Sequence, residues 1–248
     1  MQMNKGISKF SDISTLETFD ESAFLSNEYV SQDVCNFILT LSCIYNDYKD
    51  TLLALNYIEK AQPSLPYEET AEWGEFNGLK FHVIRLQVAL IHELLTLIKE
   101  NKKAIEDPYF DLVVGQIDKL GKESWRTLVN ISQGKEDSHL IAKTLLMIRN
   151  KISFHYDPKE ISKGYKKYFL DLVPKRKAYI SRGDNLKKER YYFAEAASQY
   201  YFYSLYDDIG HDNFLNNIVA VMECIAPALS QIITRFIQKR GYGWKRVD

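Results

Sequence analysis

Apolar residues recur at alternating steps of four and three along the first long stretch of the chain. The members of this stripe are Val34, Ile38, Leu41, Tyr45, Tyr48, Leu52 and Leu55. This spacing aligns side chains along one face of an α-helix, and it predicts a helix from about Gln32 to Glu59. Because the stripe has a heptad-like repeat, we expect the helix to lie nearly parallel or antiparallel to a partner helix.

A second apolar stretch predicts another long helix, from Gly78 to about Lys103. The segment before it contains Pro63, Pro66 and Gly74, and these residues predict a connecting loop from Ala61 to Asn77. Apolar side chains cover much of the circumference of the predicted helix. We therefore expect this helix to occupy the centre of the fold.

Two shorter helices are predicted next. Asp107 and Pro108 open the first, which we expect to reach Leu120 with Gly121 as its cap. The second covers Ser124 to Gln133. Both lie between the second long helix and the segment that carries the candidate chemistry.

A further helix carries that chemistry. Asp137 or Ser138 can cap its start, and Asp157-Pro158 ends it because the residue before a proline is pushed out of helical geometry. Its apolar stripe consists of Ile141, Leu145, Ile148 and Ile152. At about 100° per residue, Arg149 stands beside this stripe and not in it.

The last third of the chain begins with a basic region. Residues 159–192 predict a short helix followed by an irregular stretch, in which Tyr179-Ile180 and Tyr191–Phe193 can pair as a small hairpin. Tyr191–Tyr206 then contains eight aromatic residues, which either pack as a thick amphipathic helix or form a stacking surface for bases. Asn213–Gln238 predicts a last long helix, with a kink at Pro227.

Together these elements predict an all-α fold, an up-and-down bundle of long helices with a basic irregular insertion around residues 174–192. Only 11 Gly and 6 Pro interrupt the 248 residues, which favours long helices over the frequent turns of a β protein. We expect a single helical domain over residues 1–248. Its core covers about residues 28–158 and 193–238, and residues 159–192 form a basic loop region.

Composition is typical of a folded protein, with 26% charged and 46% hydrophobic residues. The N-terminal residues lack the apolar core of a secretory signal, and polar residues interrupt the most apolar runs. We expect Cys35, Cys43 and Cys224 to be buried small hydrophobic residues in a reducing compartment. These features predict a cytoplasmic protein that does not cross a membrane.

Charge is distributed unevenly along the chain. Residues 1–70 hold eleven Asp and Glu against four Lys and Arg, whereas residues 159–190 hold eleven Lys and Arg against four Asp and Glu. The candidate RNA-binding residues in the basic region are Lys175, Arg176, Lys177, Arg182, Lys187 and Lys188. Such a cluster either contacts the phosphates of a nucleic acid or forms a solvated loop.

Arg149, Asn150 and His155 are the candidate catalytic residues. They bring an Arg, an amide and a His together near the predicted end of an apolar helix, directly before the basic region. A similar spacing links Arg85 to His92, but a Leu follows Arg85 inside an apolar helix, so we interpret that pair as structural. His82 and His92 are ten residues apart and cannot both ligate one metal ion without other donors.

Arg149, Asn150 and His155 resemble the motif of the HEPN superfamily, in which a polar residue follows an Arg and four to six residues separate this Arg from a His. Five residues intervene here. The resemblance implies an all-helical homodimer whose two-fold interface joins both copies of the motif. It also implies metal-independent RNA cleavage of the kind found in toxin–antitoxin and phage-defence systems, with RNA and an antitoxin protein as partners. Other members of the superfamily are binding or dimerisation modules.

RNA cleavage by the 2′-hydroxyl needs a base, an acid and positive charge on the phosphorane. We expect His155 to transfer protons, Arg149 to hold the phosphate and Asn150 to orient one of them, without a metal ion or other cofactor. In the alternative interpretation, Arg149 pairs with Asp157 or another carboxylate and His155 caps the helix end. The chain is then a non-enzymatic interaction or dimerisation protein with a degenerate motif.

Overall fold

The computed structural model describes residues 16–64, 70–135, 145–146, 148–150, 156–182, 189–207, 211–240 and 245–247. Helices make up most of these residues, which confirms the all-α prediction; the HEPN-like arrangement stays a prediction. The helices are α1 (Gln32–Lys60), α2 (Ala71–Glu100), α3 (Lys102–Ile105), α4 (Pro108–Val114), α5 (Lys119–Ser132), α6 (Pro158–Tyr165), α7 (Tyr192–Asp207) and α8 (His211–Lys239).

Short elements accompany these helices. A 3₁₀-helix covers Glu21–Phe24, and a π-helix over Lys166–Asp171 continues α6. Strand β1 (Leu16–Thr18) pairs with β2 (Lys245–Val247) in an antiparallel ribbon that joins the two ends of the chain. Arg240 at the end of α8 also contacts the N-terminal part of the chain. Its guanidinium donates hydrogen bonds to the carbonyls of Ala23 at 3.0 Å and Leu25 at 2.7 Å.

Helix α1 matches its predicted limits to within one residue. The Ser31 hydroxyl accepts a hydrogen bond from the Val34 amide at 3.4 Å and caps the first turn. The first half of the apolar stripe is buried through Leu41 and again at Tyr48, whereas Leu52 is 38% exposed. The heptad-like stripe therefore packs against the core mainly through its N-terminal part.

Helix α2 begins at Ala71, so the prediction of a loop as far as Asn77 is wrong. Thr70 Oγ1 accepts a hydrogen bond from the Trp73 amide at 3.3 Å and starts the helix. Gly74 lies inside α2, where a side chain would overlap the Tyr192 ring of α7. The glycine thus permits a close helix contact and does not end the helix. At its other end, α2 stops at Glu100, three residues before the predicted end.

The boundary between α4 and α5 also differs from the prediction. Helix α4 stops at Val114 and not at Leu120. Helix α5 starts at Lys119, because the Asp118 carboxylate accepts a hydrogen bond from the Gly121 amide at 2.7 Å. Gly121 therefore belongs to the first turn of α5 and does not cap the preceding helix.

The region after the candidate motif contains the predicted short helix and irregular stretch. Asp157 does not simply end a helix; its carboxylate caps α6 by accepting from the amides of Lys159 at 3.0 Å and Glu160 at 3.4 Å. The predicted hairpin is formed only in part among the described residues. An antiparallel bridge joins Ser181 to Arg190, and the Phe193 amide donates to the Tyr179 carbonyl at 3.3 Å, but Tyr192 already belongs to α7.

A continuous hydrophobic core joins α1, α2, α4, α5 and α8. Aromatic rings lie at its centre, with Phe37, Phe110 and Trp125 at centroid distances of 5.5 to 6.3 Å from one another. Helix α2 and the Ile218–Lys239 part of α8 have the length and apolar composition of membrane spans, yet both contribute buried side chains to this core. Cys35 is buried, but Cys43 is exposed, contrary to the expectation for that residue.

Candidate functional site

The candidate site lies where the motif segment meets α2. Residues 145–146 and 148–150 are helical, and Leu145 and Ile148 are fully buried. Arg149 follows Ile148 directly, and its side chain is 34% exposed. Arg149 therefore stands beside the apolar stripe, as its helical position predicts, with its guanidinium accessible to solvent.

Two hydrogen bonds fix the Arg149 guanidinium. Its Nε donates to Oε1 of Glu93 on α2 at 3.0 Å, and its Nη1 donates to Oδ1 of Asn150 at 2.8 Å. Hydrogen bonds from a guanidinium to a carboxylate are strong and directional. The structure thus brings the predicted pair Arg149 and Asn150 into direct contact and adds a third residue, Glu93.

His92 also contacts this carboxylate. Its Nδ1 lies 3.7 Å from Glu93 Oε1, which is longer than a hydrogen bond. Burial lowers the pKa of His92, the Glu93 carboxylate opposes this effect, and the Arg149 cation adds to it. The imidazole is therefore neutral near pH 7, and its buried Nδ1 lacks a hydrogen-bond partner among the residues that the structure describes.

Sequence analysis missed Glu93 and assigned His92 a structural role. Glu93 precedes Arg149 by 56 positions, so no local spacing connects them. The available signal was the adjacent polar pair His92-Glu93, which interrupts an otherwise apolar helix. In the folded protein, the carboxylate of this pair contacts Arg149.

A second contact lies two turns earlier on α2. Arg85 Nη1 donates to the Tyr156 hydroxyl at 3.2 Å, and its Nη2 lies 3.4 Å from Nδ1 of His82. Arg149 and Tyr156 thus both contact α2. His155 belongs to this segment but lies outside the described residues.

In the alternative interpretation, Arg149 pairs with a carboxylate. The structure identifies this carboxylate as that of Glu93, which sequence analysis did not name. Asp157 caps α6, and the carboxylate on Arg149 is that of Glu93. This ion pair is partly solvated, because the two side chains are 34% and 42% exposed. Exposed ion pairs contribute little to stability, so stability alone gives a weak reason for the pair.

Of the basic residues, Lys175, Arg176, Lys177 and Arg182 are exposed, whereas Lys187 and Lys188 lie outside the described residues. Lys177 and Ser181 line a cavity of about 220 Å³ together with Gly78 of α2. Gly78 precedes Glu93 by fifteen residues, so about 22 Å of helix separates this part of α2 from the partner of Arg149.

The Tyr-rich segment packs as a helix. Tyr201 and Phe202 of α7 are buried, and burial raises the pKa of Tyr201 to about 12. The Phe202 ring meets Phe81 of α2 edge-on at 5.3 Å, and Tyr200 lies 5.7 Å from Tyr168. These contacts support the packing interpretation of the described aromatic residues, although Tyr203 remains 46% exposed.

Comparisons with models of protein families, with curated protein sequences and with solved structures find no match to this chain. Across the described part of the chain, no three His, Cys, Asp or Glu residues lie together as a group that could hold a metal ion.

Proposed function

We propose that the protein is a cytoplasmic, HEPN-like ribonuclease of a toxin–antitoxin or phage-defence system that needs no metal ion. Arg149 holds the scissile phosphate, and His155 transfers a proton. The proposal is carried by one observation: Arg149 is partly exposed and is oriented by Glu93 at 3.0 Å and Asn150 at 2.8 Å.

The contacts of Arg149 are compatible with phosphate binding. A guanidinium has five N–H donors, and the described contacts with Glu93 and Asn150 use two of them. The remaining donors can reach two oxygens of one phosphate. Glu93 and Asn150 act as positioning residues, because they fix the plane of the guanidinium before the substrate arrives.

His92 offers a second imidazole beside the phosphate-binding group. Cleavage by the 2′-hydroxyl needs one group to accept a proton and another to donate one. Burial keeps His92 neutral, and a neutral imidazole can accept a proton, whereas His155 can donate one to the leaving 5′-oxygen. One chain then carries both proton-transfer groups, and a two-fold homodimer brings two such sets together.

The test is cleavage of mixed cellular RNA by the purified full chain in EDTA. Arg149→Ala and His155→Ala should each lower the cleavage rate by about a hundredfold or more, because each removes a group that acts on the transition state. Glu93→Gln should lower it less, since the amide oxygen still accepts a hydrogen bond from Arg149. Sedimentation of the same variants would show whether the dimer is retained.

A matched control separates chemistry from charge and folding. Arg126 is an exposed Arg on α5. Arg126→Ala should cleave RNA like the wild type. Wild-type rates in Arg149→Ala or His155→Ala would contradict the assignment.

The second candidate is a non-enzymatic interaction or dimerisation protein. The Glu93 carboxylate favours it, because it neutralises much of the charge that Arg149 would offer to a phosphate. This protein would neither cleave RNA nor bind it at low salt, where phosphate contacts are strongest. The ribonuclease would be favoured if the wild type binds RNA and Arg149→Ala binds it more weakly.

A further inference from the structure

A large cavity opens between α2, α6 and α7. Its volume is about 660 Å³, within the range of pockets that hold small organic ligands. Most residues around it are apolar or aromatic, including Phe81 on α2, Tyr165 on α6 and Phe193 on α7. Its walls therefore suit a flat ring system, which can stack on these side chains.

One cation dominates the polar part of this cavity. Among the residues that the structure describes, Arg85 and Glu195 are the charged ones that line it. Glu195 accepts hydrogen bonds from Arg190 at 2.7 to 3.1 Å, so its charge is balanced. The guanidinium carbon of Arg85 lies 5.1 Å from the ring centroid of Phe81 and 5.7 Å from that of Tyr156. A negative group of a ligand would meet this cation.

Ser198 on α7 supplies an independent observation. It lines the cavity and is only 5% exposed. Its Oγ has no hydrogen-bond partner among the described residues. Buried hydroxyl groups are nearly always paired, so an unpartnered hydroxyl at a cavity wall points to a polar atom that the cavity normally receives.

We infer that this cavity binds a planar aromatic ligand that carries one anionic group. The anion lies on Arg85, the ring lies among Phe81, Tyr165 and Phe193, and a polar atom of the ring system reaches Ser198 Oγ. An aromatic carboxylate and a nucleoside monophosphate share this chemistry. The site goes beyond the proposed cleavage of RNA, because its ligand is a small aromatic anion and Arg149 does not line the cavity.

Isothermal titration of the full chain tests this inference with matched pairs of probes. The first arm compares 2-naphthoate with neutral 2-naphthamide, and the second compares adenosine and uridine monophosphates with their nucleosides. We expect the anionic member of at least one pair to bind at least tenfold more tightly. Binding in the first arm identifies a carboxylate ligand, and binding in the second identifies a nucleotide. Equal or absent binding in both arms overturns the inference.

Variants locate the bound probe. Arg85→Gln should weaken the anionic probe by about ten- to hundredfold, which is the loss expected for a charge-assisted hydrogen bond, and should leave its neutral counterpart unchanged. Ser198→Ala should weaken the probe by about three- to tenfold. It removes a hydroxyl without a partner and so keeps the fold even where Arg85→Gln is unstable.

Arg126→Gln is the matched control, because this exposed Arg on α5 does not line the cavity. It should bind every probe like the wild type. Wild-type affinity in folded Ser198→Ala and Arg85→Gln, or an equal loss in Arg126→Gln, would place the probe elsewhere and overturn the inference.

Discussion

Replacement of Gly164 by Ala probes the contact that holds α6 against α7. Gly164 is buried, and a Cβ at this position would overlap the backbone oxygen of Ala197. It would also lie 3.1 Å from Cβ of Tyr201. Because the first obstacle is backbone and not a movable side chain, the two helices would have to separate. The cavity around Arg85 lies between them and α2, so its shape depends on this contact.

The expected effect of Gly164→Ala is the difference between two opposing terms. Overpacking of a tight contact costs about 1–3 kcal/mol, and this contact belongs at the upper end because backbone must move. Ala in a helix gains about 1 kcal/mol over Gly. The free energy of unfolding should therefore fall by about 2 kcal/mol, which lowers the melting temperature by about 4–8 °C in a chain of this size.

Thermal and urea unfolding, followed by circular dichroism, measure this difference. Gly115→Ala is the matched control, because Gly115 follows α4 with φ −59° and ψ −22°, a conformation that Ala adopts readily. Its nearest obstacle is the Asp111 carbonyl of the same helix at 3.1 Å. The free energy of unfolding of Gly115→Ala should stay within about 0.5 kcal/mol of the wild-type value. A Gly164→Ala protein as stable as the wild type would refute the argument from close packing.

Two further predictions concern the chain ends and the candidate site. Arg240→Ala removes charged hydrogen bonds to Ala23 and Leu25, so the free energy of unfolding measured in urea should fall by about 1.5–3 kcal/mol. Gln238→Ala, at an exposed neighbouring residue, should have little effect. Equal losses in the two variants would contradict the role of Arg240. Burial holds the pKa of folded His92 below 6.5, so the unfolded chain binds more protons in acid and stability falls as the pH drops below about 6.5. His92→Gln should make this decline in melting temperature shallower, and an unchanged slope would show that His92 does not cause it.

Local signals predicted the long helices well where caps and stripes agreed. Helix α1 combines a heptad-like stripe with the Ser31 cap, and its limits were predicted within one residue. Helix α2 was placed seven residues late, because Gly74 was treated as a loop residue. Its role depends on the Tyr192 ring, which lies far away in sequence. A tertiary contact thus places this glycine inside a helix, although glycine by itself favours loops and turns.

The candidate site was only partly predictable for the same reason. Arg149 and Asn150 are neighbours, so sequence alone could pair them. Glu93 reaches Arg149 only through the packing of the motif segment on α2, which no residue spacing encodes. Asp157 was a reasonable partner for Arg149 by distance along the chain. However, the carboxylate of Asp157 accepts hydrogen bonds from the first amides of α6 instead.

The face of α2 that carries Gly78, Arg85 and His92 links the site, the cavity and the basic segment. These residues recur at steps of seven, which places them on one side of the helix about 10 Å apart in turn. Gly78 makes room for the Arg190–Glu195 pair, Arg85 contacts Tyr156, and His92 lies beside the carboxylate that holds Arg149. These three positions in α2 are therefore places where other segments of the chain pack against the helix. A ligand on Arg85 would therefore also contact Tyr156, which lines the same cavity.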